Sequence, residues 1–148
     1  MSAVVRVYVP LTAPAVAELA ALGTLAGPPE EAFAVTARLE ASLPDADEEE
    51  REYAAFVAAA ERAAGLAVSS RPSRFSRRVV AAADVAETFV TELSGGIRPI
   101  AAVSLAGPLT TRQVVSLHVA ESAAADSDLL WYDVTEISIV RDLLADQG

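Results

Sequence analysis

A chain of 148 residues has the length of one domain and enough bulk to bury a core without disulfides or metal as staples. The absence of cysteine removes disulfide frameworks, thiolate nucleophiles and Cys-based zinc or iron–sulfur sites. The formal net charge of −10 disfavours general attraction to nucleic acid and anionic lipid.

There are 32 alanines, all 11 basic residues are Arg, and Lys and Asn are absent, a pattern that follows codon GC content and points to a GC-rich bacterial genome. The opening MSAVVRVYVP has one early Arg and a short apolar run before Pro10, too short for a secretory segment or a spanning helix. Later apolar stretches are interrupted by charge, Gly or Pro within the ~18 residues that a span needs. The expectation is a soluble, cytoplasmic chain without membrane contact, folded as one domain over residues 1–148.

Residues 4–9 alternate Val5, Val7 and Val9 against Arg6 and Tyr8, the pattern of a first strand, with Pro10 as its end. Thr12 is placed to cap a helix with Pro14 in its first turn and Gly23 as its stop. Residues 32–36 predict a second short strand, and residues 38–42 a helical turn. The best-defined element spans residues 47–64: Asp45 or Asp47 caps it, Glu48, Glu49 and Glu50 sit where the helix dipole favours carboxylates, and Gly65 falls where a left-handed cap belongs. Its apolar stripe reads Tyr53, Phe56, Val57, Ala60 and Ala64.

After a polar connector over residues 69–76, residues 78–83 predict a strand. Residues 87–93 and 98–105 form a hairpin around Ser94-Gly95-Gly96. Residues 114–119 predict a further strand, with Val115, Leu117 and Val119 opposite Ser116 and His118. Residues 129–132 are another, and Asp133 with Glu136 fits a capping box that opens a terminal helix, with Ile137, Val140 and Leu144 as its buried stripe. Early βα units followed by a meander define an α+β (mixed α/β) class: a single domain with a mixed, largely antiparallel sheet and helices packed mainly on one face.

Five segments resemble an uncharacterised family of small actinobacterial proteins, a domain of unknown function: RVYVP at Arg6, AFAVT at Ala32, EEREYAAF at Glu49, VVSLHV at Val114 and LLWYDVTEI at Leu129. The family pattern carries an acidic residue directly after the HV pair, where this chain has Ala120 and only then Glu121. The resemblance implies a cytoplasmic bacterial domain and supplies no activity.

His118 is the single histidine and the one side chain with an ordinary pKa near neutrality, so it is the candidate general acid or base if Glu121, Asp133 or Glu136 reaches its ring. The plainer reading is a strand histidine that satisfies a backbone carbonyl or lies half-exposed at the sheet edge. Ser116, two residues earlier on the same strand face, lacks the G-x-S-x-G context of an activated nucleophile. Trp131 and Tyr132 point to opposite strand faces, one towards the core and one towards solvent. Core packing is the default for Trp131.

Tyr8, Trp131 and Tyr132 are the aromatic candidates for ligand or partner binding. Arg71, Arg74, Arg77 and Arg78 form the one local basic cluster, thin for nucleic acid on an acidic domain. The acidic run Asp45, Asp47, Glu48, Glu49, Glu50 and Glu52 fits a solvated helix start better than a calcium loop. No glycine-rich loop follows the first strand, which disfavours dinucleotide binding and P-loop chemistry, and no metal or other cofactor is expected. These features favour a non-catalytic regulatory or protein-interaction module, acting on a protein partner or by self-association. The alternative is a small-molecule enzyme that uses His118 with Glu121 or Asp133.

Overall fold

The computed structural model describes residues 3–70, 77–93, 97–122, 124 and 127–145. Seven strands, β1 (Val4–Leu11), β2 (Ala32–Phe33), β3 (Val79–Ala86), β4 (Val90–Glu92), β5 (Ala102–Leu105), β6 (Val114–Ala120) and β7 (Leu129–Asp133), form one sheet ordered β4-β5-β2-β1-β3-β6-β7. Every pairing is antiparallel, so the sheet is uniformly antiparallel rather than mixed. The helices are α1 (Ala13–Leu22), α2 (Ala37–Ser42), α3 (Glu48–Ser70) and α4 (Ile137–Ala145), with single 3-10 turns at Glu87–Phe89 and Val134–Glu136.

The fold is α+β as expected, but helices cover both faces of the sheet rather than mainly one. Val7, Val9 and Leu11 of β1, the odd-numbered residues of β3, and Leu117 and Val119 of β6 pack with Val16 and Leu19 of α1 and with Val140 and Leu144 of α4. Tyr8, Phe33, Val80, Ala82 and Ala102 point to the opposite face, where α2 supplies Leu39 and α3 supplies Ala55, Ala59, Ala60 and Ala63. The central strands are apolar on both faces, the signature of a sheet sandwiched between helix layers.

Local signals placed several elements well. Thr12 caps α1 by accepting from Ala15 N at 3.3 Å, and Gly23 ends it with φ of 74°, a left-handed conformation that costs glycine least. Asp47 Oδ1 accepts from Glu50 N at 2.8 Å at the head of α3. The Asp133–Glu136 capping box is present and leads into α4. β1 continues through Pro10 to Leu11, because Pro10 pairs with Val80 while β2 reaches β1 only at Tyr8↔Phe33, so no ladder bond is asked of Pro10 on the β2 side.

Four expectations change. Gly65 lies inside α3, which runs on to Ser70, so it is not a left-handed cap. The buried face of α3 is Ala55, Ala59 and Ala63, while Tyr53 is 67% exposed and Phe56 is half-buried. Small residues on α3 meet Val80 and Ala82 on the strands, so the helix seats on its alanines and its aromatics fall at the margin of the contact. Val115 is exposed because the β3–β6 register moves from Ala82↔Ser116 to Ala83↔Val114, leaving it as the extra residue of a bulge. Thr36 is no strand residue: it is buried, caps α2 by accepting from Leu39 N at 3.1 Å, and donates its hydroxyl to Ile100 O. The predicted hairpin exists as the β4–β5 pair, and its Ser94–Gly96 turn lies outside the described residues.

Seating on alanines makes the two faces of α3 respond differently to mutation. Ala59→Leu has no room to grow and is expected to cost about 1–3 kcal/mol, whereas Tyr53→Ala should stay within about 0.5 kcal/mol of the parent. Equilibrium denaturation of both variants measures this, and the reverse ranking would show that the helix packs on its aromatic side.

Candidate functional site: the aromatic and polar strip beside α3

Pairing across β1, β3, β6 and β7 puts Arg6 beside Asp84, Tyr8 beside Ala82, Ala82 beside Ser116, Ser116 beside Asp133, and His118 beside Trp131. Directly opposed residues share a sheet face, so these side chains belong to the face that α3 covers in part. α3 lies mainly over β1, β2 and β3 and meets the outer strands at its margin.

Tyr8 OH donates to Glu52 Oε1 of α3 at 2.8 Å, and burial, followed by this bond to a carboxylate, raises the phenol pKa well above its ordinary value. The Tyr8 ring meets Phe56 edge-on with centroids 5.8 Å apart, and Phe56 meets the His118 ring at 5.0 Å and 63°. Tyr53 lies 6.3 Å from Phe56 on the solvent side. Arg6 makes a two-pronged pair with Asp84 at 2.5 and 3.0 Å.

Ser116 Oγ and His118 Nε2 are 3.0 Å apart. The ring's pKa lies below its ordinary 6.5, first because burial penalises the imidazolium and second because Arg6 repels it. A neutral His118 is therefore the resting form at neutral pH. No carboxylate hydrogen-bonds it among the described residues. Asp133 stands opposite Ser116, but its Oδ2 accepts from Thr135 N at 2.9 Å and from Thr135 Oγ1 at 2.6 Å, and these bonds hold its pKa below the ordinary carboxylate value. Glu136 is used as well, since its Oε1 accepts from Asp133 N at 3.0 Å. Glu121 is exposed beyond the end of β6, where its backbone N donates to Asp128 O at 2.9 Å.

The carboxylates of Asp133 and Glu136 are thus engaged elsewhere, Glu121 lies beyond the strand end, and Ser116 is only 3% exposed. Nucleophilic catalysis needs a serine open to substrate and a base whose far nitrogen is oriented by a third group, and neither is found in this strip among the described residues. Of the aromatic candidates, Tyr8 is buried, and Tyr132 packs half-buried against the α1/α4 core on the other face. Trp131 is 61% exposed, correcting its expected core position, because β7 is the outermost strand and the α3-side core takes in Leu129 of that strand but not Trp131.

Arg78 donates to Ser127 O and so ties the start of β3 to the loop before β7. Arg77 also has an interaction partner, and Arg71 and Arg74 lie outside the described residues. A groove of about 650 Å³ runs between Tyr53, Phe56, Val57 and Ala60 of α3 and Arg78, Asp128 and Leu129. No group of three or more acidic or histidine side chains among the described residues is arranged to hold a metal ion, and none of the described helices is long and apolar enough to cross a membrane.

Sequence reasoning reached His118, Ser116 and Trp131 but missed Arg6–Asp84, Tyr8–Glu52 and Phe56–His118, which depend on tertiary register. The polar phase of β1, Arg6 and Tyr8, was the available signal.

Taken together, these features define a helix-sheet-helix domain whose seven-stranded antiparallel sheet carries a partly uncovered aromatic face at one edge. The chain belongs to DUF6912, a family of unknown function, whose model matches residues 5–140. Neither the curated proteins nor the solved structures contain a match to it.

The depressed His118 pKa has a sign that can be tested. Between the folded value and the ordinary 6.5 the unfolded chain binds more protons, so this group's contribution to stability is complete above pH 6.5 and declines as pH falls through the folded value. His118→Gln removes that contribution. The stability difference between parent and variant should therefore shift against the parent on going from pH 7.5 towards pH 5, as read by urea denaturation, and a pH-independent difference would place the ring in water.

Proposed function

We propose that this chain is a non-catalytic, cytoplasmic protein-interaction module whose contact surface is the aromatic edge formed by Trp131, Tyr53 and the half-buried Phe56 and His118. The observation that carries this reading is the exposure of the only tryptophan, opposite His118, on a face where the adjoining helix also leaves a tyrosine in solvent. Trp and Tyr supply large contact area with few rotatable bonds and a polar tip, the composition of binding hot spots. The engagement of Asp133 and Glu136 elsewhere and the sealed serine favour binding over turnover.

One observation favours a second reading, a small-molecule enzyme with His118 as general base: the imidazole is held neutral, with Ser116 at hydrogen-bond distance. A base of this kind would act on the ligand without Glu121 or Asp133.

Site-specific photocrosslinking in the host cell tests the interaction reading. A benzophenone amino acid in place of Trp131 or Tyr53 is expected to give discrete protein adducts, while the same probe in place of Leu22 or Ile139, both exposed on helices of the opposite face, gives none. Equal labelling from both faces, or none from either, would remove this surface as the contact site.

A further inference from the structure

We propose, resting on the interaction role above, that the outer edge of β7 takes up an extended, basic segment of a partner protein as an additional antiparallel strand, with cationic side chains of that segment lying over Trp131 and Asp133. Among the described residues β7 ends the sheet and pairs only with β6, so the backbone N–H and C=O groups that point away from β6 have no strand partner there. The opposite edge offers less: β4 is three residues long, and its Glu92 carboxylate accepts from Ala37 N at 2.8 Å, tying it to α2.

Natural edge strands are blunted by lysine, proline, bulges or extreme shortness. β7 reads LLWYD over five residues, and its register with β6 is unbroken from Ser116↔Asp133 to Ala120↔Leu129. It has no lysine, proline or bulge, and its one charge is Asp133 at its C-terminal end. An edge left open and apolar in this way suits strand addition, in which backbone bonds give affinity and alternate side chains give specificity.

Alternation also defines the incoming strand. Leu129, Trp131 and Asp133 point to the α3 face, and Leu130 and Tyr132 to the other. Every second residue of an added strand would lie beside Trp131 and Asp133. A guanidinium there gains a cation–π contact with the indole and an ion pair with Asp133, which its bonds to Thr135 keep ionised. The intervening residues would lie beside Leu130, which is 42% exposed, and want to be apolar.

Charge selects against the competing occupant, a second copy of this chain. Self-pairing would join two chains of net charge −10 along strands that carry Asp133, follow Asp128 and contain no cation.

Trp131 is the only tryptophan, so its emission reports directly on this edge. The full chain is titrated with the peptide Arg-Val-Arg-Val-Arg-Val-Arg, with its Glu-for-Arg counterpart, and with a version N-methylated at alternate backbone amides, while amide hydrogen exchange is followed along β7. The expected result is saturable micromolar binding of the basic peptide, slowed exchange at Leu129–Asp133, no binding of the acidic peptide, and at least about tenfold weaker binding of the N-methylated one. Absence of saturable binding, or binding indifferent to N-methylation, would overturn strand addition. So would a concentration-dependent dimer of the chain alone with the same amides protected. Crosslinks from Trp131 alongside a failed peptide titration would retain the interaction role and eliminate this mode of docking.

Discussion

The antiparallel pairing of β1 with β3, unbroken from Val4↔Ala86 to Leu11↔Val79, is the constraint on which the rest of the structure depends. It lies near the middle of the sheet, so the alternating side chains of two strands must serve two cores at once. Val7, Val9, Val79 and Ala81 are spent on the α1/α4 layer, and Tyr8, Val80 and Ala82 on the α2/α3 layer. A slip of one residue would turn over the strand that moved and drive its charge, Arg6 from β1 or Asp84 from β3, into the α1/α4 core without the other beside it. The two-pronged Arg6–Asp84 pair, about a third exposed on each side, is formed only in the observed register. At that exposure it contributes more to specificity than to stability.

From the alanines on α3 follows the character of the outer sheet. Because the helix is seated on Ala55, Ala59 and Ala63, its larger residues lie at the margin of the contact, where Phe56 bridges Tyr8 and His118. Seating on Phe56 instead would hold the helix further from the strands, and the bond from Tyr8 to Glu52 would lengthen beyond use. His118 owes its low pKa to the same arrangement, since the ring beside it excludes water while Arg6 adds like charge. The histidine's chemistry is thus a consequence of helix seating rather than of any motif around it.

What was legible in the sequence is what short-range chemistry decides. Thr12 with Pro14 and Gly23, Asp47 ahead of the glutamates, and Asp133 with Glu136 each complete a cap within a few residues, so no tertiary information is needed to read them. The strand order around His118 was not legible, nor was the buried side of α3, because Tyr53 and Phe56 carry far more side-chain area to bury than Ala55 and Ala59. Only the small residues on the facing strands reverse that ranking. Val115 escaped for a similar reason: period-two alternation assigns it to the core, and one extra residue opposite Ala82 and Ala83 removes it. Of the candidate site, the identities of His118, Ser116 and Trp131 could be read, and their partners could not, since each partner is set by register.

The exposure of Trp131 follows from an imbalance in coverage. On the α1/α4 side, α4 follows β7 through the capped turn at Asp133 and returns over the sheet, so Tyr132 is half-buried. On the other side α3 is committed to the central strands by its alanines, and its core takes in Leu129 of β7 but leaves Trp131 outside. A tryptophan left in water forgoes on the order of 2–3 kcal/mol of burial, and an unpaired edge adds an aggregation hazard. The acidity of the chain offsets that hazard against its own copies by mutual repulsion, without opposing a cationic partner. Exposed aromatic area, open backbone groups and negative charge therefore occur on the same strand for reasons that differ in origin and agree in effect. Each discourages self-pairing or leaves room for a foreign strand.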